Sequence, residues 1–132
     1  MSLIKTIQFN KFGDERGSLV SLESFENIPF DIKRVYYLYG MSSHLPRGFH
    51  AHKELVQVAV CVKGSCSILM DDGKSKDSIK LDDPSLGLLI DAMQWHEMSG
   101  FSEDCVLMVL ASENYNEADY IRNYKDYLCL ME

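Results

Sequence analysis

Short segments rich in valine, isoleucine, leucine and tyrosine recur along the chain, divided by turn signals, and this spacing predicts an all-β sandwich or barrel rather than β-α-β units. The predicted strands are Ile4–Phe9, Ser18–Glu23, Ile32–Leu38, Gly48–His52, Val56–Lys63, Ser65–Met70, Ser78–Leu81, Gly87–Ile90 and Cys105–Ala111. Between them, Asp14-Glu15-Arg16-Gly17, Lys63-Gly64, Asp71-Asp72-Gly73 and Asp83-Pro84 carry the glycine, proline or aspartate a chain reversal needs. The tail differs. From Asn116, a fair N-cap, the residues Ile121, Tyr124, Tyr127 and Leu128 recur at helical spacing and predict one short helix packed on the sheet, its tyrosines serving as packing residues.

Composition narrows the class. At 132 residues the chain supports one core, so residues 1–132 are read as a single domain. With 46% apolar and 25% charged residues it has the make-up of a soluble globular protein. No apolar run is long enough to span a membrane and the N-terminus lacks a signal-peptide pattern, so a cytoplasmic protein without membrane contact is expected. A net charge of −7 argues against nucleic acid as partner and leaves any anionic ligand to a few local arginines. Cys61, Cys66, Cys105 and Cys129 form no CxxC pair or zinc-ribbon spacing; Cys61 and Cys66 flank the Lys63-Gly64 turn and are read as free core thiols.

The stretch Pro46-Arg47-Gly48-Phe49-His50-Ala51-His52 carries the chemistry. On an extended strand positions i and i+2 share a face, so His50 and His52 project together. His-x-His, then Gln57 and Gly64, resembles the first cupin motif with glutamine in place of its usual glutamate, and His96 lies about where the second motif supplies a histidine. Two uses of these residues compete. His50, His52 and His96 could hold iron, zinc, manganese or nickel, although Gln57 removes the negative ligand. Alternatively the paired imidazoles act as general acid and base without metal, moving a proton from the carbon beside a ketone to the former carbonyl carbon through an enediol. Arg47 and Arg34 suit a diphosphate, and Tyr37 could donate to a sugar oxygen or an enolate. His44, in a polar loop, is read as solvent-exposed.

In order along the chain, Asp14-Glu15-Arg16-Gly17-Ser18-Leu19, Asn27-Ile28-Pro29-Phe30, Lys33-Arg34-Val35-Tyr36-Tyr37, Pro46 to Lys53, Trp95-His96-Glu97-Met98 and Asp119-Tyr120-Ile121-Arg122 resemble the dTDP-4-keto-6-deoxyglucose 3,4-ketoisomerases, the WxcM-like cupins. The resemblance covers nearly the whole chain. It implies an RmlC-like cupin jelly-roll barrel, no cofactor or metal, a homodimer with an exchanged N-terminal strand, and a dTDP-linked 4-keto-6-deoxyhexose as ligand. It further implies His52 as the carbon base, His50 as a shuttle at the oxygens and Tyr37 as a further catalytic group. Arg47, Arg34, Gln57, His96 and Arg16 become binding residues, and Arg16-Gly17 resembles members making galacto-configured products. The 3-keto-6-deoxyhexose formed would feed an aminotransferase, toward 3-amino-3,6-dideoxy sugars of surface glycans such as lipopolysaccharide. The rival readings are a metal-dependent cupin oxygenase or isomerase using His50, His52 and His96, a non-catalytic nucleotide-sugar-binding cupin, and a 3,5-epimerase.

Overall fold

The computed structural model describes residues 3–132. Its strands, in chain order, are β1 (Lys5–Gln8), β2 (Phe12–Asp14), β3 (Gly17–Leu19), β4 (Arg34–Leu38), β5 (Arg47–His52) and β6 (Gln57–Lys63). They continue with β7 (Cys66–Asp71), β8 (Lys76–Leu81), β9 (Leu86–Ile90), β10 (Trp95–Ser99), β11 (Val106–Ala111) and β12 (Tyr120–Ile121), and helix α1 (Tyr124–Leu130) follows. Two five-stranded antiparallel sheets, ordered β1-β9-β6-β11-β4 and β12-β5-β10-β7-β8, make up the barrel, and β2 and β3 form a separate hairpin. The two inner faces meet in one apolar cluster: Ala59, Cys61, Leu88, Leu107 and Val109 from the first sheet pack on Cys66, Ile68, Met70 and Met98 from the second.

The first sheet shows strict alternation. On β6, Gln57, Ala59 and Cys61 point inward, while Val58 and Val60 join Phe9, Ile28, Phe30 and Leu110 in a second cluster on the outer side. That outer cluster explains why the strand expected over Ser18–Glu23 stops at Leu19. Asn27 accepts the Glu23 N–H through Oδ1 (2.8 Å) and donates through Nδ2 to the Ser21 carbonyl (2.7 Å). Side-chain bonds thus replace ladder bonds, and the segment wraps over the sheet instead of pairing.

Two further expectations change. The strand β10, absent from the sequence reading, pairs with both β5 and β7 and carries His96. The single helix expected from Asn116 divides: Asn116 caps only a 3-10 turn over Glu117–Asp119, Tyr120–Ile121 pair with β5 as β12, and Asn123 caps α1 by accepting the Asp126 N–H. Ile121 therefore owes its burial to a strand, though its spacing also fits a helix. The N-terminal strand β1 pairs with β9, with Ile7 opposite Gly87. Helix α1 is docked by Tyr127, wholly buried, whose hydroxyl lies 2.9 Å from the carbonyls of Asp71 and Met93, and by Tyr124, which donates to Asp71.

Candidate active site

At one end of the barrel three imidazoles converge because of strand register. His50 lies directly opposite His96 across the β5–β10 ladder, and the register then slips, bringing Gly48 opposite Glu97. Phe49 is the extra residue of this bulge, with φ of 62°, and the bulge leaves Phe49 partly exposed while His50 and His52 face inward. Gly48, at φ of 90°, permits the close approach: a Cβ there would stand 3.0 Å from the His96 carbonyl oxygen. The His50 ring centre is 4.6 Å from that of His96 and 4.9 Å from that of His52.

The environment holds all three imidazoles neutral. Burial is the largest cause in each case. It lowers His96 to about 3 and His52 to about 4, each aided by proximity to His50, and it lowers His50 as well, opposed by the backbone of Gly48. The tautomer of His96 follows from its partner: Nδ1 lies 3.2 Å from the Gln94 carbonyl, which only accepts, so Nδ1 carries the proton and Nε2 keeps a buried lone pair without a protein partner among the described residues. His52 Nδ1 lies 3.4 Å from Asp119 Oδ2, within ion-pair range but not aligned as a hydrogen bond. Asp119 is itself fixed, since its carboxylate accepts the N–H groups of Glu54 (2.9 Å) and Leu55 (3.2 Å) just beyond β5. It opposes the desolvation of His52 by favouring the imidazolium.

Around this centre lie two adjacent lobes of a cleft, of about 360 and 420 Å³, with Arg34, Tyr115 and Tyr120 in the walls of both. His52 and Asp119 line the first lobe; His50, Tyr36, Arg47 and Arg122 line the second. Both volumes lie in the range of small-ligand sites. Tyr120 packs against both β5 histidines, at ring distances of 5.0 Å from His50 and 4.3 Å from His52, and Arg122 stacks over its ring at 4.1 Å. Glu117 holds Arg122 in place with two hydrogen bonds, at 2.8 and 2.9 Å. Arg34 stacks over Tyr36 at 5.0 Å, and its buried Nε has no protein partner among the described residues. Three guanidinium groups, Arg34, Arg47 and Arg122, thus concentrate positive charge at one cleft of an acidic protein.

The expected residues divide into those gathered here and those left out. His50, His52, His96, Gln57, Arg34 and Arg47 come together. Tyr37 does not: it points from the outer face of β4 and is 64% exposed, while its neighbour Tyr36 faces the cleft. Gln57 Nε2 donates to the Tyr36 hydroxyl at 2.7 Å, which leaves that hydroxyl's own proton free for a ligand oxygen. Burial raises Tyr36 to about 12, so it stays a donor at neutral pH. Arg16 also lies outside, at the tip of the β2–β3 hairpin, where it is exposed and paired with Asp14. Asp119, Tyr120, Arg122 and Tyr36 are the residues the sequence reading passed over as site groups. The nitrogens of His50, His52 and His96 lie within 4.8 Å of one another, a spacing a metal could use. The donor set is less favourable, because the residue in the cupin glutamate position is a neutral amide turned toward Tyr36.

Comparison with known proteins decides the family. The family model described as WxcM-like, C-terminal (FdtA) matches residues 2–132. The chain belongs to the WxcM-like sugar 3,4-ketoisomerases. It is 54% identical over 123 residues to the TDP-4-oxo-6-deoxy-α-D-glucose-3,4-oxoisomerase of Aneurinibacillus thermoaerophilus, covering 93% of this chain and 88% of that one. A 3,4-ketoisomerase from Helicobacter canadensis superposes with a TM-score of 0.95 at 47% identity, over 97% of this chain and 96% of that one. A 3,4-ketoisomerase mutant from Thermoanaerobacterium thermosaccharolyticum, solved with TDP-4-keto-6-deoxyglucose, gives 0.96 at 44% identity, over 99% and 95%. The barrel is accordingly a cupin of the RmlC-like kind, and this WxcM-like cupin is an isomerase.

Proposed function

We propose that this enzyme converts dTDP-4-keto-6-deoxyglucose to the 3-keto-6-deoxyhexose without a metal, with His52 as carbon base. The carrying observation is the pair of neutral imidazoles side by side on β5, one of them backed by the carboxylate of Asp119. His52 takes the proton from C3 while O4 gains one, giving the 3,4-enediol. Loss of the O3 proton and protonation of C4 complete the exchange, so no redox partner enters. Asp119 stabilises the imidazolium that His52 becomes, as a carboxylate behind a histidine base does elsewhere. His50, 4.9 Å away, moves protons between the oxygens, and Tyr36 donates to the oxygen on which charge develops. Arg34, Arg47 and Arg122 hold the diphosphate, each able to make paired bonds to it.

A cytoplasmic homodimer is part of this reading. Val35 and Tyr37 stand exposed on the outer face of β4 and Tyr39 just past its end, while Phe12 and Leu19 are exposed on the β2–β3 hairpin, apolar surface suited to a second copy. Exchange of β1 between subunits would keep the same ladder to β9 while making it intermolecular. The galacto configuration rests on Arg16-Gly17 alone, and since Arg16 lies apart from the histidines of its own chain, it reaches a cleft only across a subunit boundary. The buried free thiols suit a reducing compartment. The 3-keto product is chemically ready for an aminotransferase, which places the enzyme before amination toward 3-amino-3,6-dideoxy sugars of surface glycans such as lipopolysaccharide.

Proton NMR of dTDP-4-keto-6-deoxyglucose incubated with the protein tests the proposal. A 3-keto species should form, its C4–H coupling reporting the configuration; unchanged substrate that still binds saturably would instead make the chain a nucleotide-sugar sensor.

A further inference from the structure

Opposite the histidines, a second trio closes the barrel. Cys61 ends the inward row of β6, Cys66 opens β7 on the facing sheet, and Cys105 immediately precedes β11. All three are free and buried, and their sulfurs lie within 4.8 Å of one another. The Cys61 and Cys105 sulfurs are 3.7 Å apart. Gln57, at the histidine end of the same strand, is four residues from Cys61, a separation of about 13 Å. The thiols therefore lie outside the ketoisomerase site.

We propose that Cys61, Cys66 and Cys105 form a binding site for a thiophilic d10 cation of the zinc or monovalent copper class. Three sulfurs at about 2.3 Å from one metal stand about 3.8 Å apart in a tetrahedral face and about 4.0 Å apart in a trigonal plane. The Cys61–Cys105 edge already has that length, and the remaining edges need to contract by less than about 1 Å. The donor set is all sulfur, which selects soft and borderline cations over magnesium or calcium. The route in lies between two turns. The Ser65 N–H donates to Ser102 Oγ and the Ser102 N–H to the Ser65 carbonyl, each at 2.9 Å, and Ser102 Oγ donates to Asp104 Oδ1 at 2.8 Å. Parting those few bonds opens the trio, an excursion of the local kind that surface turns undergo. A bound cation would tie the β6–β7 turn to the segment entering β11 and so fasten the two sheets together at this end.

The test uses Cd2+ as probe on the full chain carrying Cys129→Ser, which removes the one exposed thiol. A sulfur-to-cadmium charge-transfer band in the ultraviolet should saturate at one Cd2+ per chain. It should fall at least tenfold in Cys61→Ala, Cys66→Ala and Cys105→Ala, and persist in His50→Asn, which alters the imidazole cluster instead. Cadmium-113 NMR of the Cys129→Ser protein gives an independent reading without touching the core: a resonance in the three-sulfur range supports the site. A resonance in the nitrogen–oxygen range, no band at equimolar Cd2+, or a band unchanged by the alanine substitutions would overturn it. Repeating the titration with anaerobic Cu+ and with Zn2+ then ranks the two cations; retention of neither at micromolar concentration would also overturn the assignment.

Discussion

The two ends of the barrel each gather three groups able to carry a proton or a metal, within the same 4.8 Å spacing, yet they are built differently. At the histidine end His50 and His52 open onto a cleft lined by Arg34, Arg47, Arg122 and Tyr36, with His96 buried beside them and Asp119 next to His52. At the cysteine end the trio sits inside the apolar cluster with Ile68, Leu107 and Phe101, under two short turns. Clustered reactive groups alone therefore do not define an active site. What separates the ends is polar lining, room for a ligand, and a fixed carboxylate beside one imidazole.

The largest expected effect comes from removing the base. His52→Asn should lower turnover by about 10²–10⁴-fold, the usual contribution of a positioned proton-transfer group, without loss of folding as read by circular dichroism. Substitutions of Cys66 should leave turnover near that of the unchanged enzyme. Next, Asp119→Asn should reduce kcat by about tenfold or more with little change in KM. Because Asp119 raises the His52 pKa against desolvation, the acid limb of the pH–rate profile should move further down in the variant. An unshifted limb would assign Asp119 to the turn after β5 alone, where it accepts the Glu54 and Leu55 amides.

Gly48→Ala probes the bulge that brings the imidazoles together. At φ of 90° and with a Cβ 3.0 Å from the His96 carbonyl, the substitution should cost about 1–3 kcal/mol in denaturant unfolding and reduce kcat as β10 shifts. A stability curve against pH probes the same buried imidazoles. His52 and His96 bind protons more weakly folded than unfolded, so the unfolded chain takes up more protons between pH 6.5 and about 4 for His52, and about 3 for His96. Stability should therefore be intact above pH 6.5 and fall through that window, and His96→Gln should flatten the fall. The smallest effect separates two neighbouring tyrosines: Tyr36→Phe should lower kcat/KM by about tenfold, equivalent to about 1.4 kcal/mol, whereas Tyr37→Phe should leave turnover on the isolated substrate nearly unchanged.

The contrast between Tyr36 and Tyr37 shows what could be read from the chain and what could not. The i, i+2 rule places His50 and His52 on one face without further information. The same rule makes Arg34 and Tyr37 incompatible as inward neighbours, since they are three apart on one strand, and it pairs Arg34 with Tyr36; periodicity thus contains the phase of β4. His96 was flagged by motif, but its register opposite His50 depends on β10, where histidine and glutamate interrupt the apolar pattern. Asp119 and Tyr120 were hidden by a helical spacing that Ile121 satisfies by accident while lying in β12. Arg16 marks a different limit, because within its own chain it sits exposed at the tip of the β2–β3 hairpin, paired with Asp14 and apart from the cleft.

The most direct test of the central claim is the loss of the C3 proton signal of dTDP-4-keto-6-deoxyglucose in deuterated buffer, followed by NMR with the unchanged protein, His52→Asn and Cys105→Ala. The account predicts rapid loss with the unchanged protein and Cys105→Ala, and none above background with His52→Asn. Exchange that persists undiminished in His52→Asn would contradict it, and would move the carbon base to another group of the cleft.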